Sequence, residues 1–173
     1  MTQAGRHVNQ GATNVPQRLA NSLSAHYVGA VAWIAARVAS RQEWAPGLIT
    51  LGLDTQVPGF SPGQFANVAL VLGGERIKRP YSLSSAAGAP AEFYLSLLPG
   101  GCFTPALFAL KVGDPLELED RPNGFFTLQY VPPARHAWLI ATGTGLGPFI
   151  SLLRSAELWQ RFERIVLVHG VRE

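Results

Sequence analysis

The pattern of apolar residues changes at Pro132-Pro133, and this change limits the possible folds more than any other feature. Before it, short strand-like runs recur roughly every eight to twelve residues between turns rich in glycine and proline. After it, HAWLIATG and RIVLVHG read as buried strands, and GPFISLLRSAELWQRF between them has helical spacing. The sequence therefore predicts an antiparallel sandwich or barrel, then one strand-helix-strand unit of a parallel α/β sheet, with a boundary at residues 132–135.

Composition excludes several classes of protein. Charged residues make up 14% of the chain, roughly half the usual share, which disfavours a bundle of solvated helices. The one cysteine, Cys102, cannot form an internal disulfide, a four-cysteine zinc site or an iron-sulfur cluster. We therefore expect no metal site and a reducing, cytoplasmic location. The apolar stretch 136–153 is interrupted by glycines and a proline, so no membrane span is predicted.

The first 28 residues differ from the rest of the chain. They are rich in Gln, Asn, Ser, Gly and Ala and show no sustained strand or helix period, so a flexible extension is predicted. The apolar run at 28–36 has the length of a signal-peptide core. Because the same residues fit the first strand of the domain, we prefer the strand interpretation. The folded part is then expected at 29–133 and 134–173.

One motif match is rejected on chemical grounds. Gly59-Phe60-Ser61-Pro62-Gly63 fits the Gly-x-Ser-x-Gly pattern of a serine hydrolase nucleophile elbow. The residue after the nucleophile would have to donate its N–H to the oxyanion, and Pro62 has none. The segment is interpreted as a turn.

The glycine-rich segment TGTGLGP at 142–148 lies between a predicted buried strand and a predicted helix. Backbone N–H groups at such a position can hold a nucleotide phosphate, and glycine lets the ligand approach closely. The spacing is not that of the dinucleotide fingerprint, because Pro148 stands at its third glycine. A tight turn with no ligand is the alternative.

Two further segments carry groups suited to a nucleotide. Arg79-Pro80-Tyr81-Ser82 supplies a guanidinium, an aromatic ring and a hydroxyl, and strand alternation would place Arg79 and Tyr81 on one face. The alternative is a surface arginine beside a core tyrosine. The turn PGGCFTP at 99–105 leads into a helix, with Thr104 as the expected N-cap and free N–H groups for a phosphate.

Taken in order, these pieces resemble the ferredoxin (flavodoxin) NADP reductase family in its bacterial branch. The resemblance runs from about residue 31 to 173 and rests on RPYSLSS, EFYLSLLPGGCFTPAL, NGFFTL, HAWLIATGTGLGPFISLL and RIVLVHGVRE. It implies an antiparallel barrel that holds FAD and an α/β domain, here incomplete, that holds NADP(H). The implied activity passes a hydride from the nicotinamide to the flavin, and then single electrons to ferredoxin or flavodoxin.

The resemblance also implies roles for the residues of RPYS. Arg79 would contact the FAD phosphates or ribityl chain, and Pro80 would fix the backbone beside it. Tyr81 would stack on the isoalloxazine and Ser82 would lie near N5, so these two are the expected catalytic residues. Backbone groups of two other segments would line the flavin and its pyrophosphate: Leu95, Ser96 and Leu97, and Cys102, Phe103 and Thr104.

The NADP site implied by the family falls in the second part of the chain. Thr144 would reach the flavin, while Gly143 and Gly145 would admit the pyrophosphate and nicotinamide. Val171 and Arg172 would begin the site for the adenosine end, with Arg172 as a phosphate ligand. With only two predicted strands and one helix in this part, weak use of NADPH is expected.

Two other functional classes compete with the reductase. One is a non-catalytic flavin-binding or electron-carrier module. The other is a nucleic-acid-binding barrel, suggested only by the net charge of +3. Since the arginines are scattered and form no stripe with aromatic residues, no nucleic-acid partner is predicted.

Overall fold

The computed structural model describes residues 31–171, where eight strands and three α-helices are found. The strands are β1 (Trp33–Ala45), β2 (Leu48–Leu53), β3 (Phe65–Leu72), β4 (Glu75–Ser82), β5 (Glu92–Ser96), β6 (Pro115–Glu119), β7 (His136–Thr142) and β8 (Arg164–Gly170). The helices are α1 (Phe103–Ala109), α2 (Gly147–Leu153) and α3 (Ala156–Arg161), with 3-10 turns at Leu128–Tyr130 and Gly143–Leu146. The extension predicted for residues 1–28 lies outside the described residues.

The first six strands form one antiparallel sheet in the order β4-β3-β6-β1-β2-β5. The long strand β1 pairs with β6 through residues 33–37 and with β2 through residues 38–45. Its register with β2 shifts between Val38 and Ser40 and again near its end. Such irregularities bend a strand and let a sheet curl. The predicted antiparallel architecture and the pairing of the first two strands are confirmed.

The sheet curls, and within residues 31–171 it remains an open antiparallel sheet instead of closing into the expected barrel. Its edge strands β4 and β5 meet through one isolated bridge, Leu83 to Phe93, and through the Ser84 N–H, which donates to the Glu92 carbonyl at 2.8 Å. Pro80 on β4 has no N–H to offer to a further ladder. A strand of five residues such as β5 also offers few pairing positions.

Two separate apolar cores support the elements. Inside the curled sheet, alternate residues such as Val68, Leu118 and Leu51 are almost fully buried, and α1 adds Phe103 and Leu107 to them. The second core is smaller and lies between the β7–β8 pair and its helices: Leu128, Leu139, Ala141, Phe149, Leu152, Leu158 and Phe162.

The second part of the chain has the predicted parallel pair, with β7 and β8 in register from His136–Arg164 to Thr142–Gly170. The single connecting helix that was predicted is instead two short helices, because Ser155 is extended (φ −95°, ψ 137°) and separates α2 from α3. One face of the pair is covered, whereas Trp138 and Ile140 on the other face are 64% and 66% exposed. Within residues 31–171, no helix is long and apolar enough to cross a membrane.

Candidate functional site

Phe103 brings the RPYS segment and the PGGCFTP turn together. The Tyr81 ring stacks on the Phe103 ring, with centroids 6.1 Å apart and planes at 25°, and meets Phe93 edge-on at 6.4 Å. The Cζ atom of Arg79 lies 6.0 Å from the centroid of the same Phe103 ring. The prediction that Arg79 and Tyr81 share one face is confirmed, and that face looks toward the start of α1.

The surroundings of Tyr81 and Arg79 suit them to different tasks. Burial raises the pKa of the Tyr81 phenol, although the positive charge of Arg79 acts in the opposite direction. The phenol therefore stays neutral at physiological pH. Arg79 is exposed, and within the described residues its side chain donates one hydrogen bond, to the Lys78 carbonyl at 2.7 Å. Its other N–H groups can meet an anion.

On the outer face of the same strand, Arg76 is engaged differently. It donates two hydrogen bonds to Glu117, at 2.6 and 2.9 Å, and its guanidinium lies 5.1 Å from the Trp33 ring centroid. The hydrogen bonds from Arg76 hold the pKa of the Glu117 carboxyl below its usual value. Strand alternation thus separates a paired arginine from one whose donors are largely free.

The predicted N-cap role of Thr104 is wrong. Helix α1 begins at Phe103, one residue earlier than Thr104, and Cys102 occupies the cap position without a side-chain bond. The Thr104 hydroxyl instead accepts from the Leu98 N–H and donates to the Leu98 carbonyl, both at 3.0 Å. This closes the loop ahead of the helix. The N–H groups of the first helical turn have no acceptor inside the helix.

The segment Leu95, Ser96 and Leu97 lies at the end of edge strand β5. Leu95 is buried opposite Ile49, whereas Ser96 and Leu97 are exposed. The Leu97 N–H donates to the Gly47 carbonyl at 2.8 Å. Since β5 is paired along one side only, apart from its single bridge to Leu83, part of its backbone is open to a ligand.

The glycine turn Gly143–Leu146 connects β7 to α2 and lies against β5. Gly143 has φ +50°, and no described atom lies within 4 Å of a Cβ built on Gly143 or on Gly145, so the backbone there is open. A Cβ on Gly147, just after the turn, would lie 3.8 Å from the Cβ atoms of Ser82 and Tyr94. The turn that carries Thr144 therefore adjoins the end of RPYS.

His169 was missed by the sequence reasoning. Its Nε2 atom lies 2.9 Å from the Gly143 carbonyl and, in the tautomer protonated there, donates to it. The signal available in the sequence was only a histidine near the end of a buried strand. Val171 follows β8 beside the glycine turn and is exposed, whereas Arg172 lies outside the described residues.

The segment Gly59–Gly63 is a turn, as interpreted. The Ser61 N–H donates to Gln64 Oε1 at 2.8 Å, and the Phe60 side chain is buried. Gly63 has φ +99°, and a Cβ on it would lie 1.8 Å from the Phe126 carbonyl oxygen. Only glycine fits this contact, so the motif reflects packing against the NGFFTL segment.

Comparison with known proteins shows which sequences the chain is similar to. No family model matches it. It is 38% identical over 141 residues to the flavodoxin/ferredoxin-NADP reductase of Escherichia coli, covering 81% of this chain and 57% of that protein. It is also 36% identical over 139 residues to the ferredoxin-NADP reductase of Pseudomonas aeruginosa, covering 79% and 54%. Over about four fifths of its length, the chain is therefore similar in sequence to ferredoxin (flavodoxin)-NADP reductases.

A solved ferredoxin-NADP reductase has the same fold. The ferredoxin-NADP reductase of Neisseria gonorrhoeae, determined with bound FAD and NADP, aligns with a TM-score of 0.75 and 27% identity over 79% of this chain and 56% of that one. The chain spans a little over half the length of these reductases. Among the residues described here, no cluster of three or more His, Cys, Asp or Glu could hold a metal ion.

The groups gathered at this site fit the chemistry of a flavin dinucleotide. A half-buried aromatic ring offers a face for stacking, and an arginine with unused donors suits a diphosphate. The open glycine turn and the first turn of α1 add backbone N–H groups.

Proposed function

We propose that this chain is a flavoprotein oxidoreductase that transfers electrons between NADPH and ferredoxin or flavodoxin through FAD. Residues 29–133 form its FAD-binding part and residues 134–173 its NADP-binding part. The convergence of RPYS, the PGGCFTP turn and the glycine turn around Phe103 and Ser82 carries this proposal. FAD, when bound, accepts a hydride and releases electrons one at a time.

Four residues of β4 bind and orient the flavin in this proposal. Arg79 donates to the FAD phosphates or the ribityl region, and Tyr81 stacks on the ring system. Pro80 holds the backbone between them in an extended conformation. The Ser82 hydroxyl is placed near N5, which makes Tyr81 and Ser82 the residues closest to the reacting atoms. The exposed Arg79 and the half-buried Tyr81 on a shared face support these roles.

Backbone groups supply the remaining flavin contacts. The end of edge strand β5, residues 95–97, lines the ring, and residues 102–104 donate N–H groups to the pyrophosphate. The hydrogen bonds of the Thr104 hydroxyl to Leu98 hold that loop in shape. The exposed Cys102 contributes its backbone and not its thiol.

The carboxyl end of the β7–β8 pair receives NADP(H). Gly143 and Gly145 let the dinucleotide approach the backbone, and Thr144 faces the flavin. Val171 and Arg172 begin the contact with the adenosine end. Ligands of parallel α/β sheets bind at this end of the strands, which supports the assignment.

The redox partner proposed is ferredoxin or flavodoxin, following the names of the related reductases. One cysteine is too few to ligate an iron-sulfur cluster, which fits an external one-electron partner. The same cysteine content supports a reducing compartment such as the cytoplasm. The net charge of +3 is too small and too scattered to favour nucleic acid.

The absorbance spectrum of the purified chain after addition and removal of excess FAD tests the proposal. We expect the visible bands of bound oxidised flavin, bleaching on addition of NADPH, and NADPH-dependent reduction of ferricyanide. Riboflavin should bind more weakly than FAD because it lacks the phosphates. A protein that is colourless after the excess FAD has been removed would overturn the proposal.

The uncovered face of the β7–β8 pair favours a second candidate, a flavin-binding module without NADPH turnover. Trp138 and Ile140 are exposed there, although a parallel sheet is usually covered on both faces. Tight FAD binding without bleaching by NADPH would support this candidate over the reductase.

A further inference from the structure

We infer that Ser151 and Arg154 are positioning residues that hold the glycine turn against the RPYSLSS segment; this inference rests on the proposed function. Both side chains extend from the end of α2 that is remote from the turn, and the sequence analysis gave neither of them a role. Each of them donates a hydrogen bond to a backbone carbonyl two or three residues after Ser82, Arg154 to Ser84 and Ser151 to Ser85.

The first contact is a fully buried hydrogen bond. The Ser151 hydroxyl donates to the Ser85 carbonyl at 2.6 Å, and Ser151 has no exposed surface. Leaving a buried carbonyl without its donor costs more free energy than the net contribution of that hydrogen bond to the stability of the fold. This contact therefore resists any displacement of α2 from the RPYSLSS segment.

The second contact is charged. Arg154 donates to the Ser84 carbonyl at 3.0 Å and forms an ion pair with Glu92, the first residue of β5. Glu92 in turn accepts at its backbone carbonyl from the Ser84 N–H at 2.8 Å. One arginine thus joins α2 to edge strand β5 and to the segment just after edge strand β4, at the point where the two meet.

The glycine turn is held at both of its ends by this arrangement. Ahead of it, the Gly143 carbonyl bonds to His169, and behind it Gly147 starts α2, which Ser151 and Arg154 fix in place. Gly147 adjoins Ser82 without a side chain that could lock the two together. The spacing between Thr144 and the Ser82 hydroxyl therefore depends on Ser151 and Arg154, the two anchors on α2.

Hydrogen–deuterium exchange of the ligand-free chain tests this directly. Ser151→Ala and Arg154→Gln should each speed exchange of the backbone amides of residues 143–147 by about three- to tenfold, the factor expected from losing one net hydrogen bond. Ser85→Ala and Arg135→Gln are the controls. The first keeps the carbonyl that Ser151 uses, and the second breaks a surface ion pair with Glu163 at the opposite end of β7 from the turn.

Two results would overturn the inference. One is exchange in residues 143–147 that matches the control variants. The other is faster exchange throughout β1, β2 and β5 as well, which would make the two residues general supports of the fold. Because this measurement needs no flavin, it tests the role of the two anchors even if the chain fails to bind FAD and the proposed function is wrong.

In the FAD-loaded chain, the same variants separate positioning from binding. FAD affinity should stay within about twofold of the parent chain, while the Kd for NADP+, read from the flavin difference spectrum, should rise about three- to tenfold. Equal NADP+ affinity in parent and variants, or a parallel loss of FAD affinity, would contradict a role in placing the glycine turn.

Discussion

Replacing Arg79 with alanine should weaken FAD binding much more than it weakens the fold. The Arg79 side chain is exposed, and its hydrogen bond within residues 31–171 goes to the neighbouring Lys78 carbonyl. Losing it should change the free energy of unfolding by no more than about 0.5 kcal/mol. Charge-assisted bonds to a phosphate contribute roughly 1.5 to 3 kcal/mol, so the Kd for FAD should rise about ten- to 150-fold.

The assay is a fluorescence titration of the chain with FAD and, separately, with riboflavin, which has no phosphate. Arg76→Ala is the matched control, because Arg76 lies on the opposite face of the same strand and binds Glu117. We expect riboflavin affinity to change little in the Arg79 variant and FAD affinity to change little in the Arg76 variant. Equal losses for both ligands, or for both variants, would refute the assignment of Arg79 to the phosphates.

Three other substitutions have distinct expected effects. Tyr81→Ala should loosen the flavin and raise its fluorescence, because the stacking face is lost; titration and emission spectra measure both. Ser82→Ala should slow reduction of bound FAD by NADPH in stopped flow more than it weakens FAD binding, because the hydroxyl acts at the reacting atom. Gly63→Ala should lower the free energy of unfolding, measured by urea denaturation, by about 2 kcal/mol or more, because its Cβ would meet the Phe126 carbonyl. The control Gly59→Ala has open space around its Cβ and should lower the same quantity by about 1 kcal/mol.

Each of these has a result that contradicts it. Native flavin affinity and emission in the Tyr81 variant would show that the ring serves packing with Phe103 alone. An unchanged reduction rate would leave Ser82 as a structural hydroxyl. Equal stability of the two glycine variants would mean that the loop carrying Phe126 moves aside at little cost.

The order and type of the elements were readable from the sequence, because local pattern determines them. Alternation in FANVALVL and ERIKRPYS predicted β3 and β4, and the same alternation placed Arg79 and Tyr81 on one face. The unbroken apolar runs after Pro133 predicted a parallel pair, which β7 and β8 form. The resemblance to ferredoxin (flavodoxin)-NADP reductases, carried by several motifs in order, was visible in the amino-acid sequence, and the curated relatives have the same similarity.

Tertiary structure decided what local pattern could not. Whether the sheet closes depends on how far β4 and β5 can pair, and Pro80 and the short β5 limit them to one bridge. Because α1 starts one residue before Thr104, the Thr104 hydroxyl does not cap the helix as predicted. It bonds to the backbone of Leu98 and closes the loop there. The meeting of distant segments at Phe103 has no local signature, because it depends on how the sheet curls.

The anchors Ser151 and Arg154 show most clearly the difference between what the sequence predicts and what the tertiary structure decides. In sequence they are ordinary polar positions on an apolar helix, and nothing local distinguishes them from any solvated serine or arginine. Only the folded chain brings them to the carbonyls of Ser85 and Ser84, some 66 and 70 residues away. Every residue has a backbone carbonyl, so a long-range hydrogen bond to one leaves no recognisable residue type at the acceptor position. The sequence therefore determined the elements and the chemical groups of the site, while the tertiary structure determined how they are held together.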